Sequence, residues 1–312
     1  MADLRRWLDG LVGDRVPGRG VRAVLDAAVT DPELCAYAST HAVARAAGVN
    51  PATVVRAAQA VGFGGWPEFA TELRSRYLSS LAVDRIYDLY ADDRYADDPD
   101  GPGRVDPGPA GADEPARSAP PGTGDDVVRR VVGHDLHLLH TMLASTDPAA
   151  VHRAAEAVRT ARRTVVFATG TYAAPGIQLA HVAQMLGHDV TVQNGAATAM
   201  LNSARLLGEG DCLFTFSLWR TSVTVRQAAE VARRAGATVV AVVDRRSAVA
   251  ELADVVVTVP SEGRGFVPSI VCAVSVTQTI LRLLADADPV TTRARLAELD
   301  GLWGSLGIVE DD

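Results

Sequence analysis

Residues 41–62 read HAVARAAGVNPATVVRAAQAVG, and their punctuation decides the first half of the fold. Ser39 or Thr40 caps a helix over HAVARAA, and Gly48 closes it, because glycine accepts the left-handed conformation common at helix ends. Asn50 is the next cap and Pro51 the first helical residue of a second helix that closes at Gly62. Two short helices joined by a three-to-four-residue turn containing glycine form the helix-turn-helix pattern. The apolar set Val43, Ala46, Ala47, Val49, Val54, Val55 and Ala58 predicts a small core between them. The second helix then presents Pro51, Ala52, Thr53, Arg56 and Gln59 outward, the geometry in which a recognition helix enters a major groove. Thr53 is expected to meet a phosphate or a thymine methyl, and Arg56 a guanine edge or a phosphate. Thr40 and Asn50 complete the candidate DNA-binding set.

Reading outward, a helix is expected over Gly20–Ala28, and Asp31-Pro32 opens another through Ala38. A further helix runs from Trp66 through Leu73 to Leu81. With one Arg on the recognition helix, backing from Arg5, Arg6, Arg15, Arg19, Arg22, Arg45, Arg74 and Arg76 is expected. The competing reading is a helical bundle used for docking or dimerisation.

The whole chain, 312 residues with a formal charge of −8, argues against nucleic acid only until the charge is divided. Residues 1–83 carry 9 Arg and 8 acids, whereas residues 84–126 carry 4 Arg and 12 acids. Residues 99–124 hold 7 Pro and 6 Gly, and such a stretch cannot bury enough apolar surface to offset its ordering entropy. Residues 84–126 therefore read as a disordered acidic linker between a helical domain (1–83) and a second domain (127–312). All 30 basic residues are Arg, a uniform bias that says little about function. The three cysteines have no CxxC spacing, which argues against a disulfide framework or a zinc site. Neither a signal peptide nor a membrane span is apparent, so a cytoplasmic protein is expected.

HAVARAAGVNPATVVRAAQAVGFGGWPEF resembles the N-terminal domain of RpiR/MurR-type bacterial transcriptional regulators. The resemblance rests on Gly48-Val49-Asn50, Thr53-Val54-Val55-Arg56 and the segment Val61–Phe69, with Asn50 where the family usually has serine. It implies an operator-binding protein.

From Arg163, Val-rich runs alternate with helical stretches. Strands are expected at 164–169, 189–193, 212–216, 238–243 and 254–259, with helices at 173–186, 196–207, 223–235, 247–252 and 266–284. Helices at 127–143 and 148–160 precede them. Continuous apolar strands alternating with helices predict a doubly wound five-stranded parallel sheet, with ligands at the carboxyl ends of its strands. Helix 266–284, apolar nearly all round, is expected to be buried at a subunit interface as well as in the core. This order resembles the SIS (sugar isomerase) domain, which implies sensing of a sugar phosphate and assembly as a homodimer or homotetramer.

The resemblance places a ligand at Gly170, Thr171 and Tyr172 after the first strand, and at Ser217, Trp219, Arg220, Thr221 and Ser222 after the third. Tyr172, Trp219 and Arg220 stand where the family has Ser, Ser and Gly. Three readings stay open: Arg220 replaces lost anion donors, Trp219 and Tyr172 shape a pocket for a flatter ligand, or side chains fill the pocket and leave a ligand-free scaffold. Glu262, after the fifth strand, lies near where SIS isomerases keep a general base, so a sugar-phosphate isomerase is the alternative; no catalytic residue is assigned. His134, His137 and His140 share a helix with only Asp135 nearby, an incomplete ligand shell, so neither metal nor cofactor is expected. His181, Gln184 and His188 read as surface or interface residues.

Overall fold

The computed structural model describes residues 2–81, 85, 124–263 and 268–308. These fall into two compact units, one holding the described residues up to 134 together with Gly263, the other 135–262 and 268–308. The stretch read as a linker, 84–126, lies outside the described residues except for Arg85 and 124–126, which open the helix Gly124–Ser145.

The first unit is helical: α1 (Ala2–Val12), α2 (Arg19–Thr30), α3 (Pro32–Tyr37), α4 (Thr40–Ala46), α5 (Pro51–Ala60) and α6 (Trp66–Ser80). Side-chain caps set its boundaries. Asp31 accepts the Leu34 N–H, Ser39 the Ala42 N–H and Asn50 the Thr53 N–H, each satisfying a donor that the helix cannot. Ser39 is therefore the cap and Thr40 the first residue of α4. Gly48 (φ 64°) and Gly62 (φ 93°) take the left-handed turns that end α4 and α5. Val24, Val43, Ala44, Val54, Ala57, Ala58, Trp66, Phe69 and Leu73 are buried in one core. Of the predicted set, Ala46 is exposed instead, because the helical period turns Ala44 inward; Ala47, Val49 and Val55 pack at the margin. Phe69 gathers the aromatics, stacking on Trp7 at 5.8 Å and meeting Phe63 edge-on at 5.4 Å. The helix α1, which reading the sequence missed, adds Leu4 and Leu8 to this core.

The second unit contains β1 (Thr164–Phe167), β2 (Val190–Gln193), β3 (Cys212–Ser217), β4 (Thr238–Val243) and β5 (Val255–Thr258). All neighbours pair in parallel, in the order β2-β1-β3-β4-β5. Alternate strand residues face opposite layers. Val166, Phe214, Phe216, Val240, Val242 and Val257 pack with helices Pro148–Thr160, Ala173–Met185 and Val271–Ala287. Val165, Phe167, Leu213, Val239, Ala241 and Val243 pack with Ala197–Arg205, Val223–Arg234 and Ala248–Leu252.

The helix expected from residue 266 begins at Val271; residues 264–267 lie outside the described residues and 268–270 are not helical. It buries one face, through Cys272, Ala273, Val276, Ile280, Leu281 and Leu284, while Gln278 and Thr279 are exposed, so it is not buried all round within the chain. A last helix, Pro289–Leu306, went unread in the sequence; none of its residues is buried.

Candidate functional site

On the first unit, α4 and α5 enclose Val43 and Val54, leaving Ala52, Arg56 and Gln59 on the exposed side of α5. A ladder of polar contacts runs along that side. The Thr53 hydroxyl donates to Asn50 Oδ1 (2.9 Å) and accepts from Arg56 Nη2 (2.9 Å), while Arg56 Nε reaches the Ala52 carbonyl (3.3 Å). Arg56 is exposed and held by single bonds to its own helix, which water or a phosphate replaces at little cost. Gln59 Nε2 lies 3.5 Å from the Gly64 carbonyl. Pro51 and Thr40 are half-buried at the two helix starts. Thr53 corrects one expectation: its Cγ2 sits 3.0 Å from where a Cβ on Gly20 would stand. That methyl packs against the start of α2 rather than facing outward, and Thr53 is half-buried.

The arginines expected to back this face divide. Arg5, Arg6, Arg19, Arg22 and Arg45 are exposed. Arg15 donates to the carbonyls of Leu11 (2.8 Å), Val12 (3.2 Å) and Ala60 (2.8 Å), joining the end of α1 to the end of α5. Arg76 pairs with Glu72 at 2.7 Å and covers the Trp7 ring at 4.6 Å. Arg74 is buried and holds the Ala36 carbonyl, so it belongs to the core and not to a DNA surface.

On the second unit, β1 and β3 are neighbours whose chains leave in different directions, which makes their carboxyl ends the switch point of the sheet. The loop after β1 turns at Gly170 (φ 60°) into a short 3₁₀ segment, Gly170–Tyr172, followed directly by the helix Ala173–Met185. Thr171 is exposed and Tyr172 is buried. Burial raises the Tyr172 phenol above its ordinary value; nearby Asp244 acts in the same direction, with Arg245 and Arg220 opposing it. The loop after β3 carries Ser217, Trp219, Arg220, Thr221 and Ser222, and the Ser222 Oγ caps the helix Val223–Arg234. Trp219 adopts φ 62°, the only positive φ of a non-glycine residue among the described residues. Arg220 is exposed, with its guanidinium 4.5 Å from the centre of the Trp219 ring. Both loops, and the half-buried Glu262 beyond β5, thus reach one end of the sheet.

Reading the sequence missed two groups here, Asp244 and Arg245, which follow β4. Asp244 Oδ2 accepts the Trp219 backbone N–H (2.8 Å) and the Ser261 hydroxyl (2.8 Å). Arg245 lies 3.5 Å from the same carboxylate and donates to the Trp219 carbonyl. The run Val243-Asp244-Arg245 could have flagged them, since a charged pair closing a buried strand at the carboxyl edge of a parallel sheet is expensive unless used.

The remaining candidates are structural. Asp211, buried, ion-pairs with Arg162 (3.1 Å) and Arg163 (3.2 Å) and accepts the Gly208 N–H, fixing the approach to β3. Burial pushes the thiols of Cys35, Cys212 and Cys272 up to about 12, so all three are protonated packing groups. Asp135 accepts the Ser269 hydroxyl at 2.7 Å. Among the described residues no three His, Cys, Asp or Glu side chains are arranged to hold a metal ion, and no helix is long and apolar enough to cross a membrane. His181 and Gln184 are exposed, and Gln184 donates to the Val190 carbonyl at 2.6 Å.

Comparison with known proteins agrees with both units. Residues 22–80 match the helix-turn-helix domain of the rpiR family. The sugar isomerase domain of an RpiR transcription factor from Sphaerobacter thermophilus superposes with a TM-score of 0.54 at 27% identity, over 56% of this chain and 98% of that one. The Vibrio vulnificus NanR protein, solved in complex with ManNAc-6P, gives a TM-score of 0.57 at 16% identity over 98% of each chain, a likeness of fold. No curated protein matches the sequence.

Proposed function

We propose that this chain, which joins an rpiR-family helix-turn-helix domain to a SIS-type α/β domain, is a cytoplasmic transcriptional regulator. Residues 1–83 bind double-stranded operator DNA, 84–126 tether the two parts, and 127–312 dimerise and sense a sugar phosphate or a related anionic metabolite. The observation that carries the reading is the packing of α4 against α5, which leaves Ala52, Arg56 and Gln59 facing solvent on the second helix of the motif. A homodimer suits this reading because two recognition helices on one symmetric operator sit about 34 Å apart, one turn of DNA. Apolar side chains on the helix Pro289–Leu306, namely Leu296, Leu302 and Leu306, are exposed in the single chain and support self-association.

Operator titrations at several salt concentrations test the DNA assignment. Arg56→Ala is expected to weaken binding by about 1–3 kcal/mol and, if Arg56 meets a phosphate, to lower the salt slope by about 1. Arg56 is exposed, so the melting temperature should hold. Unchanged affinity and slope would remove α5 as the reading helix. Nothing in this function asks for turnover. Isomerisation of an aldose or ketose phosphate by the full chain, lost in Glu262→Gln, is the result that would replace it with an enzyme.

A further inference from the structure

A backbone N–H exposed by a left-handed turn, flanked by hydroxyls, is a ready anion-binding arrangement. At the carboxyl end of β3 that arrangement already holds an anion. The Trp219 N–H, in its left-handed turn, and the Ser261 hydroxyl both donate to Asp244 Oδ2. The carboxylate is 6% exposed and Arg245, itself 10% exposed, is its ion-pair partner. Close by in the fold, two hydroxyls have no hydrogen-bond partner among the described residues: Ser217 Oγ, on a residue 6% exposed, and the Tyr172 hydroxyl, on a residue 8% exposed. Ser217 ends β3 and Tyr172 follows β1, so both lie at the switch point of the sheet. Buried hydroxyls left unpaired are costly, and a pair of them at the ends of two neighbouring strands is the mark of a site awaiting an acceptor.

We propose that Asp244 is a resident competitor for the effector: a phosphate-bearing ligand takes the donors of the β3 loop by displacing the Asp244 carboxylate from the Trp219 N–H. The proposal rests on the reading of this domain as a sensor of an anionic metabolite. The incoming phosphate oxygens accept hydrogen bonds from the Ser217 and Tyr172 hydroxyls and from the freed amide, while Arg220 at the rim meets remaining charge. Asp244, once displaced, carries the start of the β4–Ser247 loop with it, because Arg245 also holds the Trp219 carbonyl. Ligand binding and rearrangement of the β3 and β4 loops become one event. A wild-type affinity for phosphate weaker than the donor set alone would give follows, since two like charges cannot share the amide.

Calorimetric titration of the full chain with inorganic phosphate and with glucose 6-phosphate tests this on wild type, Asp244→Asn and Asp244→Ala. Asparagine keeps the shape and an acceptor for the Trp219 N–H but removes the charge, so it guards against loss of fold in the alanine variant. Expected is tighter binding of both probes in the order Ala, Asn, wild type, with at least a tenfold gain for alanine. Equal affinities across the three proteins overturn displacement. If those equal affinities are measurable and glucose 6-phosphate still changes operator binding, the sensing function stands without it. If no protein binds either probe and operator affinity is unresponsive, the anion-sensing reading falls too.

Discussion

The Arg74 guanidinium donates to the Ala36 carbonyl oxygen from both Nε (3.0 Å) and Nη2 (2.7 Å), tying α6 to the last turn of α3. Ala36 is at a helix end, where carbonyls lack an intrahelical partner, and Arg74 is only 8% exposed over the Tyr37 ring. Arg74→Ala therefore leaves a buried carbonyl short of its donor and opens a gap beside an aromatic ring. A loss of about 1.5–3 kcal/mol from the N-terminal unit is expected, the range for hydrogen bonds to charged groups. Arg74→Lys should recover less than half, since an ammonium cannot reproduce the planar fork. Hydrogen exchange in peptides spanning α6 reads this separately from the second unit. Arg45→Ala, at an exposed position of α4, should leave the same peptides unchanged.

Trp219 invites a comparison of two variants. A left-handed backbone costs an L-residue about 1–2 kcal/mol and glycine almost nothing. Trp219→Ala and Trp219→Gly both lose the indole and its contact with Arg220, but only alanine retains the strain. The glycine variant should therefore be more stable than the alanine variant by about 1 kcal/mol, after the extra entropy that glycine gains in the unfolded chain. Urea unfolding of the two proteins gives the difference directly. Equal stability would mean that the loop relaxes once the indole is gone and that Asp244 and Arg245 impose no conformation on it.

The boundaries of the helix-turn-helix were legible because caps are local chemistry. Asp31-Pro32, Ser39 and Asn50-Pro51 each state a helix start within two residues of sequence. The Val-rich strands were legible for the same local reason. Two omissions had signals as plain: Leu4, Trp7, Leu8 and Leu11 repeat at helical spacing through α1, and Asp288-Pro289 opens the last helix just as Asp31-Pro32 opens α3. Thr53 and Arg74 were misread because exposure on a helix depends on what packs against it, here Gly20 and Ala36. The site at the sheet edge was legible only as two loops. What fills it comes from strand order: β4 pairs with β3, so Asp244 reaches a backbone amide 25 residues before it. No pattern along the chain records that meeting.

His188 supplies a pH test of the second unit. It follows Gly187 (φ 82°) in the turn after the helix Ala173–Met185, with its N–H bonded to the Ala183 carbonyl. Burial lowers the imidazole pKa below its ordinary 6.5, and the positive charges of Arg295 and Arg159 lower it further. The native state thus resists the proton that the unfolded chain accepts near 6.5. Where the unfolded state binds more protons, stability rises with pH. The contribution of His188 is therefore full above about 6.5 and is lost as the pH falls from there through the lowered native value, below which it levels off. His188→Gln removes this slope while keeping a polar side chain of similar size. Subtracting its stability from that of wild type across pH 4.5–8 should give a difference that is flat above neutrality and declines below about 6.5. Arg295 also donates to the Leu186 carbonyl in the preceding turn, so Arg295→Ala should shrink the decline while lowering stability at every pH. A wild-type-minus-Gln difference that rises on acidification would mean instead that the native state binds the proton more tightly, with a carboxylate near His188 outweighing both arginines.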